Sequence, residues 1–355
     1  MLSDTAFTFL KRLLDTPGPS GYERAPARVW RDHAAQFADV SADVIGNSYA
    51  GAGPVDGPTI LLAGHVDEIG LVVTHVDDQG YLSVGPIGGW DPQVLVGQRV
   101  RFEGRQGPVL GVVGKKPIHL IKPEEREKAS RLTELWVDIG AANKQEAAER
   151  VEVGDAGVID AQLLELPNGR IVSRSIDDRV GAFVVLEAVR RYAERPGAAR
   201  VVAVATTQEE IGHRGGGALP SAVRLNPSMA VVVDVTFATD HPGVDKKEIG
   251  ESTLSGGPVL TRGSVVSPVA YRFLREAAER LGVPVQLHAA GRMSATDADA
   301  IHNAGTGVPT ALLSIPNRYM HSPNEMVALD DLDRAAEVIA EACRAVTATT
   351  DFTDR

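Results

Sequence analysis

The sequence of 355 residues has one cysteine, no apolar run as long as a membrane span and no excess of positive charge. A single cysteine, Cys343, excludes an intramolecular disulfide and a cysteine-based zinc finger, and we expect its thiol to be buried. The formal net charge of -11 argues against nucleic acid or an anionic membrane as the main partner. Charges interrupt the apolar positions of the amino-terminal stretch, unlike those of a signal peptide, so we expect a cytoplasmic protein.

The chain contains two textures of sequence. Between residues 71 and 164, short β-rich runs alternate with turns rich in glycine and proline, which is typical of a small β-barrel or sandwich. On either side, apolar runs typical of buried strands alternate with helical periodicity, and this predicts a mostly parallel central sheet with helices on both faces. We therefore predict an α/β domain formed by residues 1–70 and 165–355, interrupted by a β-rich insertion at 71–164.

The same patterns predict individual elements. Helical spacing of apolar residues predicts helices over 23–37, 178–194, 269–281, 297–303 and 329–346. Continuous apolar runs predict strands over 58–64, 200–207, 229–235 and 310–315. The glycine-rich range 46–57 is predicted to be a hairpin or a loop.

Ionisable residues follow the predicted strands, where functional groups of open α/β sheets collect. They are His65, Asp67 and Glu68 after the first strand, Asp177 and Asp178 before a helix, and Glu209, Glu210, Asp234 and His321 in the later segments. Imidazole nitrogens and carboxylate oxygens suit zinc or a similar divalent ion. So many donors exceed the needs of one catalytic ion with an open position, and they suit two ions that share a bridging carboxylate.

Each of these residues could also have an ordinary structural role. A histidine after a strand more often forms structural hydrogen bonds, Asp234 alone would serve as a helix N-cap, and the acid pairs would be solvated or capping groups. For the set as a whole such roles are less plausible, because acids repeatedly follow apolar runs, where burial disfavours an unpaired charge.

Local geometry suggests separate roles for neighbouring residues. Asp67 lies two residues after His65, so in an extended segment both side chains share a face and Asp67 can bond to the far imidazole nitrogen. Glu209 and Glu210 point to different sides of an extended segment. One of them can ligate a metal ion while the other faces the activated water and acts as its general base.

These residues lie in motifs that resemble the tetrahedral (TET) aminopeptidases, di-metal peptidases related to glutamyl and leucyl aminopeptidases. The resemblance spans nearly the whole chain in family order, and its most specific parts are the motifs TQEEIGHRGG and IPNRYMHSPNE. The motifs are GHVDEIG (64–70), DDRVG (177–181), TQEEIGHRGG (207–216), VVVDVT (231–236), TDADAI (296–301) and IPNRYMHSPNE (315–325).

The resemblance implies a zinc aminopeptidase-like fold and a role for each residue. The implied metal ligands are His65, Asp177, Glu210, Asp234 and His321. Asp177 would bridge the two ions, Glu209 would be the general base and Asp67 would support His65. In related enzymes the bridging aspartate precedes a cis peptide bond, which here would join Asp177 to Asp178. The chain by itself does not separate these two aspartates.

The implied activity is removal of N-terminal residues from short peptides, with two divalent metal ions bound per subunit. Zinc is the expected metal, and cobalt and manganese are the alternatives. The implied assembly is a homo-oligomer, commonly a tetrahedral dodecamer, in which the insertion shapes access and subunit contacts. No nucleic acid or membrane partner is expected.

Two other functions are considered. A cellulase-like glycosidase would use paired carboxylates, but two histidines among the acids argue against it. A catalytically idle peptide-binding scaffold would have lost ligands or base, whereas all these positions are filled. Substrate preference stays open because the segment GGPVLTRGSVVSP (256–268) lacks an acidic residue expected after its glycines. Arg318 and Tyr319 could contact substrate or support the His321 loop.

Overall fold

The computed structural model describes residues 2–212 and 215–353, without the side chain of Glu125. His213 and Arg214, two residues of the TQEEIGHRGG motif, lie outside the described residues. No helix in the described ranges combines the length and the apolar character needed to cross a membrane.

Strands predominate in the first half of the chain, and helices and strands largely alternate in the second half. The helices are α1 (Asp4–Asp15), α2 (Arg24–Ala34), α3 (Pro92–Leu95), α4 (Lys144–Arg150), α5 (Ile176–Glu194), α6 (Ala218–Leu225), α7 (Lys246–Ile249), α8 (Pro268–Leu281), α9 (Asp297–His302) and α10 (Leu329–Arg344). The strands are β1 (Asp39–Ala42), β2 (Ser48–Ala52), β3 (Thr59–His65), β4 (Gly70–Val76), β5 (Leu82–Ile87), β6 (Arg99–Gly104), β7 (Gly107–Gly114), β8 (Trp136–Asp138), β9 (Ala156–Ile159), β10 (Leu164–Leu166), β11 (Arg170–Ser173), β12 (Arg200–Thr206), β13 (Met229–Phe237), β14 (Val259–Gly263), β15 (Gln286–Ala290), β16 (Thr310–Asn317) and β17 (Glu325–Ala328).

An eight-stranded sheet lies at the centre, in the order β1-β2-β12-β3-β13-β16-β14-β15. Its four middle strands, β12, β3, β13 and β16, run parallel to one another. The strands β2 and β14, which flank these four, join them antiparallel. The middle strands are almost continuously buried, as parallel strands covered on both faces require. The predicted mostly parallel sheet is therefore confirmed, with antiparallel edges that the periodicity did not reveal.

Helices cover both faces of this sheet. Alternate residues of β3 point to opposite sides: Ile60 and Leu62 pack in the core that contains α1, α2, α5, α8 and α10. Leu61 and Ala63 pack on the other side, in the core formed with α6 and α9. The thiol of Cys343 is buried in the first of these cores, and burial raises its pKa to about 12.

Between β3 and α5 the chain forms a closed six-stranded barrel, in the order β4-β5-β8-β7-β6-β9. The barrel has its own core, in which Leu71, Leu82, Phe102 and Val137 are buried. Of the two architectures that the β-rich texture allowed, barrel or sandwich, the structure has the barrel.

Two local features refine the interpretation of the sequence. The range 46–57 contains a full strand, β2, which pairs with both β1 and β12. Apart from Tyr49 its residues are small, so no apolar periodicity marks the strand. A Cβ at Gly51 would lie only 2.9 Å from the Arg200 guanidinium. Asp234 is not an N-cap, because β13 continues past it to Phe237.

Candidate active site

The parallel strands bring the predicted site residues to one edge of the sheet. His65 is the last residue of β3 and lies beside Thr206, the last residue of β12. Glu209 and Glu210 follow β12, Asp234 lies in β13, and His321 follows β16. Since the carboxyl ends of parallel neighbours share an edge, these segments converge. Asp177 reaches the same place from the beginning of α5.

The carboxylate of Asp177 lies between the two histidines. Its Oδ1 is 3.2 Å from His65 Nε2, and its Oδ2 is 3.4 Å from His321 Nε2. His321 Nε2 is also 3.5 Å from Glu210 Oε1. A carboxylate that presents one oxygen to each of two imidazoles has the geometry of a bridging ligand.

Two overlapping groups of side chains could hold metal ions. One is His65, Asp178 and Asp234, and the other is His65, Asp177 and Glu210; in each group the ligand atoms lie within 4.8 Å of one another. Asp178 is a poorer donor than this distance suggests. Its Oδ2 accepts the backbone N–H of His65 at 3.2 Å, and its Oδ1 accepts that of Gly181 at 3.1 Å. The peptide bond between Asp177 and Asp178 is cis.

Burial and mutual charge shift the pKa values of several side chains in this cluster. Burial raises the pKa of Glu209 to about 10, with Asp234 and Asp297 adding to the effect. Burial and the charge of Asp177 raise the pKa of Asp234 well above its ordinary range. Hydrogen bonds to Asp177 and Glu210 raise the pKa of His321 to about 11. Protons on the buried carboxyls, together with the positive charge of the protonated His321, balance the negative charge of the cluster. Metal ligation would instead require neutral imidazoles and ionised carboxylates.

Asp67 connects His65 with the acid pair. Its Oδ1 is 3.5 Å from His65 Nδ1, and its main-chain oxygen is 3.3 Å from the same nitrogen. Its carboxylate also accepts the backbone N–H of Glu209 at 3.2 Å and of Glu210 at 3.1 Å. The sequence predicted the contact with His65 but not the two bonds to the backbone.

The barrel contributes one bond that orients His321. Nδ1 of His321 donates to the main-chain oxygen of Gly89 at 2.8 Å, in the loop between β5 and α3. With the proton on Nδ1, the imidazole presents Nε2 to Asp177 and Glu210, which fixes the tautomer that a metal ion requires.

Arg318, which lies three residues before His321, forms an ion pair with Asp240. Its guanidinium donates to both carboxylate oxygens of Asp240, at 2.8 and 2.7 Å, and to the Asp240 main-chain oxygen at 3.2 Å. These bonds pair Arg318 with Asp240, in the segment that follows β13. The ring of Tyr319 is 46% exposed and lies 5.4 Å from the ring of His241.

Sequence reasoning missed two carboxylates that hold the site from behind. Glu325 accepts the backbone N–H groups of Asp177 and His321. Glu23 accepts the backbone N–H of Gln208 at 3.1 Å. Glu325 lies inside the IPNRYMHSPNE motif, but nothing in the motif indicates these two hydrogen bonds. Nothing in the sequence around Glu23 marks it.

The site opens into a cavity of about 1260 Å³, large enough for several residues of a peptide. Its walls carry His65, Asp177, Glu209, Glu210, Asp234 and His321. The remainder is lined by apolar side chains, including Phe237, Ile249 and Met293, and by polar ones, including Glu248, His288 and Asp299. These acids and histidines therefore form a candidate hydrolytic site beside a cavity of peptide size.

Known proteins resemble the chain over nearly its full length. A lysyl aminopeptidase from Pyrococcus furiosus is 35% identical over 334 residues, which cover 93% of this chain and 94% of that protein. A TET aminopeptidase from the marine sediment archaeon Thaumarchaeota archaeon SCGC AB-539-E09 superposes with a TM-score of 0.92 and 34% identity, covering 97% of each chain. The dodecamer PhTET1-12s has a TM-score of 0.85 and 30% identity, covering 97% of this chain and 100% of that one.

The family model for M42 glutamyl aminopeptidases matches residues 46–338. The resemblance to TET aminopeptidases found in the motifs is thereby confirmed. The chain belongs to the M42 glutamyl aminopeptidase family and is a peptide-bond hydrolase of the aminopeptidase type.

Proposed function

We propose that this protein is a metal-dependent aminopeptidase that removes N-terminal residues from short peptides, with Glu209 as general base. The observation that carries the proposal is the Asp177 carboxylate, which faces His65 with one oxygen and His321 with the other. Glu209 stands beside this pair, with its Oε2 3.9 Å from His65 Nε2.

Five side chains would hold two divalent ions. His65 and Asp234 would bind one ion, Glu210 and His321 the other, and Asp177 would bridge them. Nitrogen and oxygen donors of this kind favour zinc, with cobalt or manganese as alternatives. When bound, such ions polarise the scissile carbonyl and make water more acidic.

Glu209 would carry the proton. Its carboxylate accepts a proton from the attacking water while the water oxygen forms a bond to the carbonyl carbon. The protonated carboxyl then donates to the amide nitrogen as the carbon–nitrogen bond breaks, so the amine leaves neutral and Glu209 returns to its starting state. Asp67 keeps Glu209 in place through the backbone N–H that it accepts.

The N-terminal ammonium of the substrate would lie among the site carboxylates, which accounts for exopeptidase action. The barrel, assigned to the 71–164 insertion, would shape access, since its Gly88 lines the cavity. We further propose a cytoplasmic homo-oligomer, with a dodecamer like that of PhTET1-12s as the expected assembly.

The test compares free and N-acetylated aminoacyl p-nitroanilides, using purified protein treated with chelator and then resupplied with zinc, cobalt or manganese. We expect hydrolysis of the free amine only, lost on chelation and restored by metal. Cleavage of the acetylated substrate at a similar rate would contradict an aminopeptidase. Cellulose hydrolysis that survives chelation would favour the glycosidase, and absence of both metal binding and cleavage would favour a scaffold.

A further inference from the structure

Glu325 joins two predicted metal ligands that are far apart in sequence. It is the first residue of β17 and only 1% exposed. Its Oε2 accepts the backbone N–H of Asp177 at 3.0 Å, and its Oε1 accepts the backbone N–H of His321 at 2.8 Å. One carboxylate thus fixes the separation of the two main chains whose side chains meet at 3.4 Å.

The surrounding backbone makes this link stiff. Glu325 is paired with Ser173 in the register of β17 against β11, and β11 leads directly to Asp177. Met326 and Arg318 exchange two backbone hydrogen bonds, each 3.0 Å, which close the base of the loop that carries His321. Inside that loop His321 has a φ of +58°, a left-handed conformation that a non-glycine residue adopts only when its surroundings hold it there.

A carboxylate is needed at this position because two N–H donors converge on it. A glutamine side chain has one acceptor oxygen and would turn its NH₂ group toward the second donor. In the described ranges no lysine or arginine forms an ion pair with Glu325. A buried carboxylate without such a partner is costly, and the cation that would offset its charge is the one at the neighbouring ligands.

We propose that Glu325 is a positioning residue that sets the geometry of Asp177 and His321 and thereby the affinity for the ion these two residues share. The inference rests on the proposed metal centre and deepens it. Glu325 is not among the residues that line the catalytic cavity, so its effect passes through the two ligands whose backbones it holds.

The variant Glu325→Gln tests the idea, since it keeps size and breaks one of the two bonds. Loss of a group that orients a ligand typically lowers metal affinity about 10- to 100-fold. We expect the second ion, which Asp177 and His321 share, to bind about 10- to 100-fold more weakly, and the first ion, which Asp177 also bridges, to be weakened by a smaller factor. We also expect kcat to fall at limiting zinc and recover at excess zinc, with KM changed less than about 3-fold.

Asp331 provides a matched control. It is fully buried on α10, and its carboxylate also accepts two backbone N–H groups, from Ser255 at 2.7 Å and Gly257 at 2.8 Å. It does not line the catalytic cavity. The variant Asp331→Asn therefore removes the same kind of bond elsewhere and should bind both ions with wild-type affinity.

The experiment is a calorimetric zinc titration of chelator-treated full-length protein, with metal content measured after dialysis and with melting temperature recorded for each variant. Weakening of the second ion in Glu325→Gln but not in Asp331→Asn supports the inference. Two wild-type affinities in Glu325→Gln, or equal weakening in both variants, overturns it. Wild-type protein that binds no zinc would instead overturn the proposed metal centre itself.

Should Glu325→Gln not fold, Glu325→Asp takes its place. Aspartate keeps both acceptor oxygens on a side chain one methylene shorter. We expect it to weaken the second ion by a smaller factor than glutamine would, and unchanged affinity for both ions would contradict the role assigned to Glu325.

Discussion

The carboxylate of Asp67 accepts the backbone N–H of Glu210 at 3.1 Å, and its other oxygen accepts that of Glu209 at 3.2 Å. Asp67 is fully buried and lies next to His65 in space. Asp67 therefore contacts His65, as its motif predicted, and also holds the segment that carries Glu209 and Glu210.

Replacing Asp67 by asparagine should lower kcat about 10- to 100-fold, because one backbone bond is lost and His65 loses its anionic neighbour. The free energy of unfolding should fall by about 1–3 kcal/mol from the unsatisfied N–H. Steady-state kinetics and urea unfolding measure both. Asp77→Asn is the control, since Asp77 accepts the N–H groups of Gln79 and Tyr81 in a barrel turn. Equal kcat values for the two variants would contradict the role of Asp67.

Metal removal should make stability depend on pH. The pKa of His321 is raised to about 11 and that of Glu209 to about 10. For both groups a raised folded-state pKa means that stability is lost as pH rises, for His321 above about 6.5 and for Glu209 above about 4.5. The melting temperature of chelator-treated protein should therefore fall between pH 6.5 and 9 more steeply than that of metal-loaded protein. A constant difference between the two curves would contradict this linkage between protons and metal.

Gly89→Ala tests the contact between the barrel and His321. A Cβ at Gly89 would lie 3.2 Å from His321 Nδ1, so the imidazole must shift. We expect zinc affinity and kcat to fall about 10-fold. Gly85→Ala introduces a Cβ 3.2 Å from the Thr74 side chain of the same barrel and should leave both unchanged. Isothermal titration and steady-state kinetics on both variants measure the difference. Equal zinc affinity and equal kcat in the two variants would contradict a role of the barrel in orienting His321.

The sequence predicted the residues around the cavity better than the bonds that hold them. His65, Glu209 and Glu210 could be selected because acids and histidines recur after several predicted buried strands, where burial disfavours an unpaired charge. The bonds from Glu325 to Asp177 and from Glu23 to Gln208 join a side chain to a backbone more than 140 residues away. Such bonds leave no spacing in the sequence, since any backbone N–H serves as donor.

The fold shows the same division. The middle strands were predicted because buried parallel strands are continuous apolar runs, as in β3. The strand β2 was not predicted as a separate strand, because Ser48, Ala50 and Gly51 are small residues that carry no apolar signal. The hydrogen bond between His321 and Gly89 could not be predicted either, because its acceptor is a main-chain oxygen, which every residue has.

The pair Arg318 and Asp240 should stabilise the His321 loop without contacting substrate. A double-mutant cycle with alanine at each position should give a coupling energy of about 1–2 kcal/mol in unfolding experiments. The variant Arg318→Ala should lower kcat while changing KM less than about 3-fold. A large rise in KM at unchanged kcat would instead identify Arg318 as a substrate contact.

The central claim is that Glu209 moves protons while Glu210 and its neighbours hold metal. The measurement that tests it most directly is turnover of an aminoacyl p-nitroanilide by Glu209→Gln together with its metal content. We predict wild-type metal content with kcat reduced about 10²- to 10⁴-fold. Near-normal turnover at full metal occupancy would contradict the assignment of Glu209 as general base.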